Sequence, residues 1–180
     1  PPLPGASKAA ASRLGKLPPR LSHNVHRPSH SEVRCGRWQQ AIEGNPAAVA
    51  ADRQYRRLVG PPQGFINIYV AHNRHMLAYA AMMSGQRALA LKHIRAMIAE
   101  FPKGFLKENA LGVEGFMVMP LEVMVRFGMW DAILVEPNNH PDYMPATRAF
   151  QHASRAISFA AKSDPEQARR EQAAFRHNAK

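Results

Sequence analysis

The chain of 180 residues contains a single cysteine, Cys35. One thiol excludes an internal disulfide framework and a cysteine-based zinc cluster, and it agrees with a reducing compartment. Long apolar runs are missing as well. FMVMPLEVMV is cut by Pro120 and Glu122, well short of the ~20 residues that a membrane-spanning helix needs, so no membrane partner is expected. Aromatics make up 8% of the residues and do not interleave with the basic ones, which argues against a stacking platform for single-stranded nucleic acid. No His-Glu-x-x-His pairing supplies a metalloprotease base. Ser29 and Ser31 have neither a nucleophile elbow nor an accompanying acid, which rejects a serine hydrolase. The opening residues carry no basic-then-apolar export signal, and the absence of an initial Met suggests a piece of a longer parent. Cytoplasm is the expected location.

Acidic residues are scarce, 13 against 24 Lys and Arg, for a net charge of +11. The excess is concentrated in residues 1–60, where 10 basic residues face 3 acids, whereas 121–180 carry 8 against 7. Lys8, Arg13, Lys16 and Arg20 would attract an acidic partner or nucleic acid, but a solvated basic end is the plainer reading. Residues 1–20 are rich in Pro, Ala, Ser, Gly and Lys and lack periodicity. They read as disordered or as a truncated helix, which leaves 21–180 for the folded domain.

What is present is a helical pattern. Between Tyr69 and Pro102, Leu77, Ala78, Ala81 and Met82 form one stripe of period 3.6, and Ala90, Leu91, Ile94, Met97, Ile98 and Phe101 form a second. Gly85 supplies the turn between these two helices and Pro102 ends the second. A turn glycine with an aromatic two residues on and Ala five on recurs in CGRWQQAI with Gly36, Trp38 and Ala41, in FGMWDAIL with Gly128, Trp130 and Ile133 in the Ala place, and in a weaker copy, AKSDPEQA, with Ser163 in the Gly place and Ala168 in the Ala place. The turn positions 36, 85, 128 and 163 are separated by 49, 43 and 35 residues. Pro28 is expected to open a helix at Ser29, and Gly44-Asn45-Pro46 to end or kink the one after it. Lys103 to Met119, with three glycines, reads as a long connection. Pro120 opens the third pair, and Ser163 with Glu166 has capping-box spacing at the start of the last helix.

The phrase Gly85, Arg87, Ala90, Ile94, Met97, Pro102 resembles the second half of a tetratricopeptide repeat. The resemblance implies an all-α, right-handed solenoid of about four antiparallel helix pairs with irregular repeats. A narrower set of residues is similar to a group of bacterial tetratricopeptide-repeat proteins. These are His23, His26, Pro28, His30, Arg34 and Gly36, then Tyr69, His72, Asn73 and His75, then Val125, Arg126, Phe127, Gly128 and Trp130. It implies a fold and a candidate surface but no activity.

Nine histidines are many for this length, and five fall at His23, His26, His30, His72 and His75. If first helices line one concave face, His26, His30, Arg34, His72, Asn73, His75, Arg126 and His152 share a ligand-binding surface there. Neutral imidazoles bind Zn²⁺ and other divalent transition metals, and His26, His30, His72 and His75 are the candidate ligands. The plainer reading has them filling polar niches between helices. The function expected first is therefore a protein-interaction module that holds a peptide or partner domain on a basic, His-lined surface, with self-association a further outcome. A metal-binding protein or metal-dependent enzyme comes second, nucleic-acid binding third, and a binder is preferred over an enzyme.

Overall fold

The computed structural model describes residues 8–14 and 22–179, and every regular element among them is a helix. The all-α class read from the sequence is what the chain adopts. No helix is long and apolar enough to cross a membrane among the described residues. The chain divides into two compact units, 1–101 and 102–180, each considered by itself.

The first unit contains α1 (Lys8–Leu14), α2 (Ser22–Arg34), α3 (Trp38–Val59), α4 (Ile66–Met83) and α5 (Arg87–Glu100). Of residues 1–20, 8–14 are thus helical, with Ala11 buried and α1 packed on α2, while Lys16 and Arg20 lie outside the described residues. Helices α2 and α3 form one pair and α4 and α5 a second, and α4 also packs on α2 and α3. Helix α4 is therefore enclosed on several sides, and its sequence suits that position. Val70, Ala71, Leu77, Ala78, Ala80 and Ala81 are all buried, and the alanines let neighbouring backbones approach closely.

Its polar residues are committed in different directions. Asn73 Nδ2 donates to Asp52 Oδ2 of α3 at 2.8 Å, and Arg74, 4% exposed, pairs through two nitrogens with Glu100 of α5, its Nε–Oε2 distance being 2.8 Å. Successive residues on a helix point about 100° apart, so adjacent side chains reach different neighbours.

The second unit contains α6 (Lys103–Glu108), α7 (Ala110–Met117), α8 (Met119–Arg126), α9 (Trp130–Val135), α10 (Pro145–Ala161) and α11 (Pro165–Asn178). Its pairs are α8 with α9 and α10 with α11. Glu114 of α7 is buried, and its Oε2 accepts the Thr147 backbone N–H at 2.9 Å. A carboxylate from another helix thereby caps the start of α10, where Met144 offers no side-chain acceptor. Between α10 and α11, Glu171 accepts from Arg155 Nε and pairs with His152 Nδ1, both at 2.7 Å.

The four recurring turns have one geometry. Gly36, Gly85, Gly128 and Ser163 have φ of 70°, 79°, 63° and 61°, the left-handed region where a Cβ is disfavoured, and Ser163 is the one non-glycine. In each the residue after the turn donates its N–H five positions back: Arg37 to Glu32, Gln86 to Ala81, Met129 to Met124 and Asp164 to Phe159, all at 2.8–2.9 Å. This is the Schellman closure. The small or apolar position five residues after each turn residue holds Ala41, Ala90, Ile133 and Ala168, of which the first three have no exposed surface.

Three local expectations are corrected. Pro28 does not open a helix but sits inside α2, and Pro46 sits inside α3 without ending it. Packing outweighs the lost backbone bonds in both cases, with His26, Ser29, Asn45 and Val49 buried on either side of the prolines. The stretch after Lys103 is not a loop but α6 and α7. Gly104, Gly112 and Gly115 all avoid positive φ, and each costs a helix only about 1 kcal/mol. The cap of α11 is Asp164, whose side chain accepts the Gln167 N–H at 3.1 Å, and Ser163 serves the turn instead.

The Arg74–Glu100 pair should behave as a buried ion pair. Arg74→Met should destabilise the protein by about 2 kcal/mol in urea denaturation, because Glu100 keeps only Arg56 at 3.8 Å. Arg74→Met combined with Glu100→Leu should cost less than Arg74→Met alone. Additive losses would show that the pair is not coupled.

Candidate metal centre

His23, His26 and His30 are spaced three and four residues apart, so one face of α2 carries all three. That face meets α4, which supplies His72. The Nε2 atom of His30 lies 2.9 Å from Nε2 of His26 and 3.1 Å from Nε2 of His72. The rings of His30 and His72 are stacked with centroids 5.1 Å apart, while His26 meets both edge-on at 4.7 Å. Candidate ligand atoms of His23, His26 and His72 also lie within 4.8 Å of one another.

The orientation of His26 is set by α3. Asn45 has no exposed surface, and its Nδ2 donates to the Ala41 carbonyl at 2.6 Å. That bond turns Asn45 Oδ1 toward His26 Nδ1, 2.7 Å away. An amide oxygen only accepts, so the proton of neutral His26 sits on Nδ1, and Nε2 presents a lone pair. Ser29 Oγ donates to the His26 carbonyl at 2.8 Å and stands 3.3 Å from the same Nδ1.

Burial is the main cause of a lowered pKa throughout the group. It brings His26 to about 3 against the pull of the Asn45 hydrogen bond, with repulsion from His72, His30 and His23 adding to it. His72 falls to about 4, from burial and then the neighbouring His30, His75 and His23. His23, His30 and His75 are lowered for the same first reason. At neutral pH these rings are uncharged, the form that coordinates a metal.

Hydrogen bonds alone satisfy the cluster poorly. Each imidazole nitrogen has one in-plane position for either a proton or a lone pair, so His30 Nε2 has one proton to offer to two neighbouring nitrogens. A tetrahedral ion about 2.0–2.1 Å from each nitrogen would need nitrogens roughly 3.3 Å apart. The observed 2.9 and 3.1 Å are within a few tenths of an ångström of that spacing.

Comparisons with protein-family models, with curated proteins and with solved structures found no match. The site is therefore read from its own geometry.

Of the residues singled out from the sequence, the structure brings His26, His30 and His72 together. His75 stands one turn further along α4, its ring 6.3 Å from that of His72. His23 occupies the place that the sequence reading gave to His75. Asn73 is buried and turned to Asp52 rather than to the imidazoles. Arg34 is exposed at the end of α2. Arg126 and His152 belong to the second unit, Arg126 exposed at the end of α8 and His152 held by Glu171.

Asn45 was read only as part of a helix-breaking tripeptide. An asparagine one residue before a proline inside a helix carries no sequence signal for positioning an imidazole. Asp52 was also missed. It is 7% exposed and lies with His23, Tyr55 and Tyr69 around a pocket of about 220 Å³.

The lowered pKa values fix the sign of the pH dependence. Below about 6.5 the unfolded chain takes up protons that the folded cluster refuses, so the favourable contribution is complete above that pH and is lost as pH falls toward 4 and 3. Urea denaturation in EDTA at pH 7, 5.5 and 4.5 should show a stability loss on the order of 3 kcal/mol, and His26→Leu should reduce the slope. A midpoint independent of pH over this range would refute the assignment.

Proposed function

We propose that the first unit binds one divalent transition-metal ion through Nε2 of His26, His30 and His72. The observation that carries this reading is the approach of His30 Nε2 to Nε2 of His26 on the same helix, at 2.9 Å, and to Nε2 of His72 on α4, at 3.1 Å. Asn45 supports it by receiving the Nδ1 proton of His26, since ligating histidines usually donate their other ring N–H to an oxygen that fixes the tautomer. An all-imidazole donor set suits Zn²⁺, Cu²⁺ and Ni²⁺, and Zn²⁺ best accepts three such ligands in a tetrahedral frame. His23, with Nδ1 buried and unpartnered, is the nearest further donor. A bound ion would supply Lewis acidity and a position for an outside ligand. The role assigned is binding.

The scaffold reading is a tetratricopeptide-like array. It is supported by the four turns of common geometry and by the packing of α4 on both members of the preceding pair. A peptide-binding role is favoured by one surface feature: Leu58, Val59 and Phe65, around the α3–α4 connection, are each at least 65% exposed.

Calorimetric titration of tag-free, chelator-treated protein with ZnCl₂ should give one equivalent bound at micromolar or tighter affinity, together with a rise in melting temperature. His30→Ala, at a half-buried position, should weaken binding roughly 100-fold with helicity unchanged, and His177→Ala should have no effect. Less than a tenth of an equivalent, or equal affinity in His30→Ala, would remove the assignment.

A further inference from the structure

Asp52 is out of place in a chain carrying 24 basic residues. It is 93% buried by its 7% exposure, yet no Lys or Arg forms an ion pair with it among the described residues. The nearby Arg74 is committed to Glu100. What Asp52 receives is the neutral Asn73 Nδ2 donor at 2.8 Å and a hydrogen bond from Ser22. Arg74 acts on it only through space, and burial raises its pKa despite these donors, so the cost of its buried charge is only partly met and a cation in contact would offset the rest.

The carboxylate also faces a pocket. The 220 Å³ cavity that Asp52 lines has no Lys or Arg in its wall among the described residues, and Tyr55, Tyr69, Ala51 and Ile66 line it together with Ser22, His23 and Asn24. The ring of Tyr69 lies 4.6 Å from that of His23 and 5.3 Å from that of Phe65. An unfilled hydrogen-bonding position belongs to another lining residue, since His23 Nδ1 is buried without a partner.

We propose that this pocket is a binding site for a small primary amine, whose ammonium group meets the Asp52 carboxylate while its carbon skeleton lies against Tyr55 and Tyr69. An anion would be repelled by Asp52, and a neutral apolar molecule would leave the carboxylate uncompensated. The volume is below the roughly 300–1,000 Å³ of sites for drug-sized ligands, which restricts the occupant to a small molecule or one side chain. Aromatic faces beside a carboxylate are the pairing that recognises an ammonium, by cation–π attraction and a charge-assisted hydrogen bond.

Amine binding goes beyond the metal assignment and does not require the ion, because the two sites share only His23. The probe is benzylamine, titrated by NMR into the full chain in EDTA, with the neutral isostere benzyl alcohol as comparator. Benzylamine should bind at millimolar or tighter affinity, and benzyl alcohol at least tenfold more weakly. Asp52→Asn should abolish that preference, Tyr69→Leu should weaken the amine several-fold, and His30→Ala should leave it unchanged.

Equal affinity for the amine and the alcohol in the unaltered protein overturns the site, and this result stands even if Asp52→Asn fails to fold. Amine binding that appears only with Zn²⁺ and disappears in His30→Ala would make the amine a metal ligand and likewise overturn it. Failure of Zn²⁺ to bind, with the amine preference intact, removes the metal reading alone.

Discussion

The hydrogen bond from His26 to Asn45 is the contact on which the first unit turns. It joins the second turn of α2 to the second turn of α3, both ends lie fully inside, and the amide is itself anchored on the Ala41 carbonyl. Two consequences follow from one bond. Helices that carry internal prolines are held in register across those prolines, and the imidazole is locked in the tautomer whose Nε2 faces His30. An unpaired buried amide or ring N–H would cost about 1–3 kcal/mol, so structure and site fail together if either partner is lost.

Helix α4 extends the same economy of placement. Its consecutive residues His72, Asn73 and Arg74 address α2, α3 and α5 in turn, because a helix rotates about 100° per residue and α4 has neighbours on each of those bearings. Helical geometry also explains which histidines meet. His26 and His30, four apart, are displaced by about 40° around the axis, whereas His72 and His75, three apart, are displaced by about 60° the other way. The first pair shares one meeting point across the α2–α4 contact, and the second diverges, with rings 6.3 Å apart.

Much of this was legible because turns and helix faces are local. Gly36, Gly85, Gly128 and Ser163 announce their turns by composition and spacing, and Ala41 and Ala90 mark where the paired helices come closest. The convergence of His30 with His72, 42 positions apart, was an expectation from first helices lying side by side, and the two nitrogens do meet. Proline was misread because its penalty of about 3 kcal/mol is local while the burial that offsets it is tertiary. Asn45 and Asp52 were invisible for a related reason. Their importance comes from what lies opposite them on another helix, and single-sequence periodicity has no term for that. His75 was included on adjacency in sequence, which is a poorer guide than angular position.

Clustered neutral histidines are an expensive way to fill a helix interface. Leucine or methionine at positions 26, 30 and 72 would gain burial without leaving polar atoms to satisfy, whereas three imidazole nitrogens at 2.9 and 3.1 Å have fewer protons than contacts. The neutral-niche explanation accounts well for His26 Nδ1, which has its oxygen, and for Asn73, which has its carboxylate. It does not account for His30 Nε2 facing Nε2 of both His26 and His72. The same reasoning applies to Asp52, a buried carboxylate supported by neutral donors beside a pocket walled by tyrosine rings. In both places the protein's own side chains compensate the buried groups in part, with one proton for two contacts at His30 Nε2 and neutral donors at Asp52, and the proposed cations, a divalent ion among the imidazoles and an ammonium at the carboxylate, would complete that compensation.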